Sequence, residues 1–594
     1  MQPTGDLVPQ SKPLFVAVHG EGQVKNEAGG YVFKLDDMAR CQRFLIMGSE
    51  GGTYYVKEKD LHRGNVKCIE RLISSGRGVE VVDKIRDISV NRRNVKQNAL
   101  LYAYAICARS NNKDVKKRAY QYLSDICRIP THLFMFIKFC EQESNTGEMP
   151  ATGTGWGRAH KRAISRWYLN FANNPQLLAR YVTKFKSREG WTHRDVLRLA
   201  HAHTREPVMG FILRYIVKGQ KKAREMYMCE AARQTQELAA QQALDAVGTL
   251  LGGIEHSMQT TDAQELCELI DTHKLTWEQC PSQLLKDKGV WRKLIPHMPI
   301  EALVRNLGRM TQIELFEGEE GRETLAEVVR KIKAINQDPV IVEEEEEEEV
   351  METDQGAPQV SSTLNKRNFL HPFKILLALE TYRNCNTEHK KGKSTWTANK
   401  DIVEALDQAF YQAFSHVEPT RKTFYLGVDV SGSMSQPVLG SSTITCQVAA
   451  AAMMMTTART EETCIIRGFS NRMEELGITA DMKMEDILNR MNQMRFGQTD
   501  CAMPMKDAIE MKRKDIDVFI VYTDCETWAG NIHPCIALNE YRKYAGKPDA
   551  KLIVCGMTAT EFTIADKDDK NMLDISGFDS NAPRLIADFV QDKI

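Results

Sequence analysis

Residues 424–436 read FYLGVDVSGSMSQ. The first half is an apolar run of strand length, and it stops on Asp429, Ser431 and Ser433. A near-continuous apolar strand belongs to a parallel sheet covered on both faces. Three more such runs follow: TCIIRGF from Thr463, DVFIVYT from Asp517 and AKLIVCGM from Ala550. Between them lie the helical segments TCQVAAAAMMMTTAR, CAMPMKDAIEMKR and HPCIALNEYRKY. Strands alternating with helices predict an α/β domain from about residue 418 to 594.

In open parallel sheets, ligands bind beyond the carboxyl ends of the strands. Asp429, Ser431 and Ser433 stand at that end of the first strand, and Asp524 stands at that end of VFIVYTDCET. Thr499, in FGQTDCAMP, opens a helix between them. Five oxygen side chains thus converge on one sheet edge. Oxygen ligands without His or Cys suit a hard divalent cation, Mg²⁺, Mn²⁺ or Ca²⁺; of these, Mg²⁺ or Mn²⁺ is the expected cofactor. The simpler alternative is that Asp429 and Ser431 cap the next helix.

Moving upstream, HPFKILLALETYR and DIVEALDQAFYQAF are amphipathic helices, with Val403, Leu406, Phe410 and Val417 assigned to one face of the second. Before them, Glu343 to Glu349 is an unbroken acidic run. Adjacent carboxylates repel and offer nothing to bury, so residues of about 340–365 are expected to form a disordered surface loop. From about Leu35 to Pro339 the apolar spacing is helical, as in KQNALLYAYAICARS and THLFMFIKFCEQ. DVKKRAYQYLSDICRIP offers Asp114 as a cap and ends before Pro130. Stacked helix pairs are the expected architecture for residues 31–417, behind a flexible segment, residues 1–30.

Net charge is zero over 594 residues, but it is unevenly distributed. From Arg158 to Arg224 there are sixteen Lys and Arg against three acids, Glu189, Asp195 and Glu206. Arg158, Arg162 and Arg166 recur at every fourth position, which is one face of a helix. Lys161 lies beside them, and Trp167, Tyr168 and Phe171 follow. Lys184, Lys186, Arg188, His193 and Arg194 form a second cluster around Trp191. A basic helical face interleaved with aromatics predicts nucleic acid as the partner. Irregular or single-stranded RNA suits a helical array better than duplex DNA.

The fifteen cysteines are scattered, and none forms a CxxC pair, which predicts reduced thiols in a cytosolic or nuclear protein. The start of the chain has no signal-peptide pattern, and no run of about 18 apolar residues predicts a membrane span. Catalytic motifs of the GxSxG, HExxH or phosphate-loop kinds are missing, so no enzymatic activity is expected. ATGTGWG and GSEGGTYY read as turns rather than phosphate cradles.

RFLIMGSEGGTYYVKEKDL, CRIPTHLFMFIKF, GWTHRDVLRLAH and HPFKILLALETY, followed by GVDVSGSM and IVYTDCET, resemble the Ro family of RNA-binding proteins. That family joins a TROVE module to a von Willebrand factor A domain. The resemblance runs from about residue 30 to the end, with the acidic run as its main departure. It implies a ring of HEAT-like helical repeats closed by the A domain, whose metal-ion-dependent adhesion site would use Asp429, Ser431, Ser433, Thr499 and Asp524. It implies binding of Y RNAs and misfolded noncoding RNAs in ribonucleoprotein assembly and RNA quality control. The expected state is a monomer in a ribonucleoprotein, cytoplasmic and also nuclear. The alternative is a protein-binding scaffold whose cation captures a partner carboxylate. RNA contact transfers most directly to Lys161, Arg162, Arg166, His193 and Arg194.

Overall fold

The computed structural model describes residues 8–14, 23–146, 156–231, 238–336, 369–383, 396–414, 417–438, 440–441, 443–494 and 497–594. The acidic run, and all of the span expected to form a loop except its surroundings, lies outside them. The chain divides into two compact units, residues 1–286 with 415–594, and residues 287–414. The expected boundary near residue 418 lies close to residue 414, where the second unit ends. In space, the first 286 residues form one unit with the α/β domain.

In the first unit, β1 (Val24–Lys25) and β2 (Tyr31–Lys34) form a small antiparallel pair. Helices follow, and their apolar stripes meet in a buried core. Phe44, Leu45 and Ile46 come from Asp37–Met47, Leu100, Leu101 and Tyr104 from Gln97–Arg109, and Phe134, Phe136 and Ile137 from Pro130–Thr146. The helix after residue 112 is capped by Asn112, which accepts from Asp114 N and Val115 N, so the cap lies two residues before the expected Asp114. β3 (Ser187–Arg188) and β4 (Trp191–Thr192) form a hairpin. Its turn residues Glu189 and Gly190 both have positive φ, the geometry that matches the twist of paired strands.

The α/β part contains β5 (Thr423–Asp429), β6 (Thr463–Phe469), β7 (Met473–Glu474), β8 (Val518–Thr523), β9 (Lys551–Gly556), β10 (Phe562–Thr563) and β11 (Met572–Ser576). Six of these form one sheet in the order β11-β9-β8-β5-β6-β7, parallel except for β7. All four expected strands are present. β5 lies between β6 and β8, so the chain moves off in opposite directions around it. Such a switch point leaves a crevice beyond the strand's carboxyl end. Tyr425, Phe519 and Val521 pack with Met505, Leu538 and Tyr541 in one apolar core. Cys446–Thr460 also packs on β5, and twelve of its fifteen residues are buried, which accounts for its Ala-rich and Met-rich composition.

β10 pairs antiparallel with β2, which fastens the N-terminal pair to the α/β part. Charge pairs join the same two regions. Arg43, 1% exposed, meets Asp574, Arg93 meets Asp579 at 2.6 Å, and Arg40 meets Glu561 at 2.6 Å.

The second unit packs the helices Ile300–Gln312, Glu319–Lys333, Pro372–Arg383 and Lys400–Gln412. Leu303, Leu307, Met310, Leu376 and Leu379 are buried. Trp396 stacks on Tyr382 and lies so close to Gly308 that a Cβ there would sit 2.6 Å from its ring. Among the described residues of both units, every cysteine whose side chain is described is a free thiol, and no helix is long and apolar enough to cross a membrane.

Candidate cation cradle and basic helical face

β5 delivers Asp429 to the crevice, and the turn after it delivers Ser431 and Ser433. All three are at most 4% exposed. Asp429 Oδ1 accepts from Ser431 N at 2.8 Å, and its Oδ2 accepts from Thr523 Oγ1 at 2.7 Å. The Ser431 and Ser433 hydroxyls are 3.2 Å apart. Asp524 stands one residue beyond β8, buried, and its Oδ1 accepts from Glu526 N at 3.0 Å. A hydrogen bond from Ser433 ties Asp524 to the β5 turn. Thr499, also buried, is held beside the β8 loop because its carbonyl accepts from Trp528 N and Ala529 N, each at 3.0 Å.

Two carboxylates are thus buried near enough to act on one another's charge. Burial raises the Asp429 carboxyl above the usual range, and the neighbouring charge of Asp524 raises it further. Burial raises Asp524 too, opposed by the hydrogen bond from Ser433. Such a pair requires a proton or a cation. Among the described residues, no three His, Cys, Asp or Glu side chains converge as a metal-ligand group. The donor set is two carboxylates with hydroxyls, which fits a hard cation and not a soft one.

The surroundings add residues that the sequence reading did not single out. Glu526 is 1% exposed, and its carboxyl is pushed up to about 8 by burial first and Asp524 second. Tyr54 and Tyr55 are exposed large aromatics in the turn between two helices. The Tyr55 phenol is pushed up to about 12, by burial first and then by Asp524 and Glu526. Gln10 and Asn26 are buried against the loops of the cradle. This contradicts a flexible segment over residues 1–30 at these positions. Their only signal in the sequence is an amide in a polar stretch, which is too common to read.

The basic face rests on Arg158–Leu169. His160, Ala163, Ile164, Trp167 and Tyr168 are buried, while Arg158, Arg162 and Arg166 are exposed along the other side and Lys161 is half-buried. Among the described residues, none of these four joins an ion pair. Trp167 is core, 2% exposed, and donates to the Cys127 carbonyl at 2.5 Å. Arg194 is exposed at the start of His193–Ala200. Lys186 and Arg188 are exposed around the hairpin, with Arg188 against Glu189 at 3.4 Å and Lys186 reaching Met258. Lys184 is drawn inward, with its side chain 16% exposed and 3.5 Å from Glu278. His193, expected from the resemblance to contact RNA, lies inside the protein. It is 4% exposed, with Nδ1 2.8 Å from the Tyr168 hydroxyl and Nε2 3.1 Å from the Phe185 carbonyl. Both ring nitrogens are occupied inside the protein, and no ring face is open to a base.

The TROVE domain family matches residues 24–422, and the Ro60 vWA domain family matches residues 423–590. RNA-binding protein RO60 of Caenorhabditis elegans is 33% identical, with 97% of this chain and 91% of that protein covered. RNA-binding protein RO60 of Deinococcus radiodurans is 30% identical, covering 97% and 96%. The crystal structure of the D. radiodurans RO (RSR) protein aligns with a TM-score of 0.61 at 28% identity, over 94% of this chain and all of that one.

Proposed function

Because this chain belongs to the TROVE family, with a Ro60 vWA domain at its carboxyl end, we propose that it is an RNA-binding scaffold rather than an enzyme. Its relatives are named as RNA-binding proteins. The observation that carries the reading here is the outward row of Arg158, Arg162 and Arg166 on a helix whose opposite side is core. Guanidinium groups spaced along an exposed face engage phosphates without demanding a sequence. On the finer level, the reading is Y RNA and misfolded noncoding RNA as ligands, in ribonucleoprotein assembly and RNA quality control, in the cytoplasm and nucleus. The cradle around Asp429 and Asp524 would hold Mg²⁺ or Mn²⁺, because the two buried carboxylates fit such an ion.

The test is RNA affinity as a function of salt. Replacing Arg158, Arg162 and Arg166 together by Gln should weaken binding of a single-stranded RNA and lower the log–log salt slope by about 2, at roughly 0.7 per phosphate contact. The helix stays folded, since its buried side is untouched. Unchanged affinity and slope would remove this face from the RNA site. A second reading, capture of a partner's carboxylate, is favoured only by the cradle, and it requires a cation-dependent protein complex that survives nuclease treatment.

A further inference from the structure

We infer that Gln10 and Asn26 position the cation cradle, which makes the N-terminal segment a working part of a site formed by loops 490 or more residues downstream. The inference rests on the cation reading above. Two of the five residues assigned to the cradle, Thr499 and Asp524, come from separate loops, and the relative placement of those loops sets the geometry. The loops bond to one another through Trp528 N and Ala529 N to the Thr499 carbonyl, and through Cys501 N to Thr527 Oγ1 at 3.0 Å.

Gln10, 0% exposed, sits at that joint. Its Nε2 donates to Asp500 Oδ1 and to the Ile532 carbonyl, both at 2.7 Å, and its Oε1 accepts from Thr527 Oγ1. Its backbone N donates to the Gly530 carbonyl at 2.9 Å. One side chain therefore holds the residue after Thr499 and the loop after Asp524 together. Asn26 ties the N-terminal segment to the loop directly after Asp524, without reaching the Thr499 loop. Its Nδ2 donates to the Thr527 carbonyl at 2.9 Å and the Cys525 carbonyl at 3.4 Å, while its Oδ1 accepts from Gly30 N at 2.7 Å. Ala28 N donates to Glu526 Oε2 at 3.1 Å, and the other oxygen of that buried carboxylate has no partner among the described residues. Gly30 lies flat on the Thr527 carbonyl, where a Cβ would come within 1.9 Å.

These are buried amides aimed at buried main-chain carbonyls, and losing either partner leaves the other unsatisfied. Whatever fixes the two loops favours the cation-ready geometry. By linkage, a bound cation must fix the segment in return by the same factor.

Two variants of the full chain separate this from a merely structural role. Asn26→Asp keeps the acceptor for Gly30 N and removes the donors to the loop. Gly30→Ala changes no charge and lifts the segment off Thr527. Each should raise the calorimetric Kd for Mn²⁺ by about tenfold. In the unmutated protein, Mn²⁺ should slow amide hydrogen exchange over residues 23–31, and in both variants that protection should shrink. A structural role alone would lower the melting temperature of the metal-free protein and leave Mn²⁺ affinity unchanged. Binding by the unmutated protein with unchanged affinity in both variants overturns the inference and leaves the cation reading standing. No Mn²⁺ binding by the unmutated protein overturns the cation reading, and this inference with it.

Discussion

His160 and His193 lie in the most basic stretch of the chain, yet burial keeps both uncharged near neutral pH. Burial depresses His160 to about 3 and His193 to about 4 from an ordinary 6.5. As pH falls below 6.5 the unfolded chain takes up these protons first. The stabilising contribution is therefore complete above 6.5 and is lost down to about 4 for His193 and about 3 for His160. Between about pH 7.5 and pH 5, His193 alone should account for about 2 kcal/mol of lost stability. His193→Gln should reduce the fall in denaturant-measured stability over that interval by about this amount. An identical pH dependence in the variant would mean that His193 is not titrated on unfolding. The same residue marks a limit of sequence reading. A histidine among arginines looks like a base-stacking group, and nothing local says that Tyr168 and the Phe185 carbonyl enclose it. Asp429, Ser431 and Ser433 were legible because alternate residues leaving a strand face one edge. Gln10 and Asn26 were not, because their partners are some 500 residues away.

Elements were readable where one physical signal dominated. β5, β6, β8 and β9 announce themselves as apolar runs because helices cover both faces of the sheet. β11 was missed because Asp574 interrupts its apolar run, and that charge is met by Arg43 from the distant N-terminal helix. The helix Lys400–Gln412 was found, and Leu406 and Phe410 of its expected face are buried, but the rest of the face was misassigned. Ile402, Ala405, Leu406, Ala409 and Phe410 are buried, Val403 is only half-buried, and Val417 lies beyond the helix. Small alanines carry little weight in an apolar pattern, although they allow close helix packing. β5 also carries a constraint that its pattern conceals. Gly427, in the centre of the sheet, faces Pro504, and a Cβ there would sit 2.7 Å from the ring. Gly427→Val should destabilise the protein by about 1–3 kcal/mol through overpacking, despite the better strand propensity of Val. An unchanged denaturation midpoint would show that Met503–Glu510 can shift away from the strand without cost.

At the scale of the first unit, two kinds of coupling can be distinguished. Arg43 and Asp574 join its N-terminal helices to the sheet as a buried pair. Arg43→Met should cost about 3–5 kcal/mol, because it leaves Asp574 charged without its partner. Restoration of stability by Asp574→Asn in the same chain would confirm the cause, and a neutral single variant would refute it. The basic face is connected differently. His160 bonds with Tyr120, Trp167 with the Cys127 carbonyl and Tyr168 with His193, all within the helical part. Among the described residues, no hydrogen bond or ion pair runs from Arg158–Leu169 to the loops around Asp429 and Asp524. RNA capture and cation binding should therefore be separable. Asp429→Ala removes one of the two buried carboxylates and, with it, the Oδ1 and Oδ2 bonds that order the β5 turn. It should abolish Mn²⁺ binding in a calorimetric titration and leave RNA affinity within about threefold, since no phosphate-facing cation is removed. Both measurements belong on one preparation, with melting followed alongside. If RNA affinity collapses while melting is unchanged, the cation acts on RNA through a path outside these hydrogen bonds. The arginine face would then be one half of a composite ligand site.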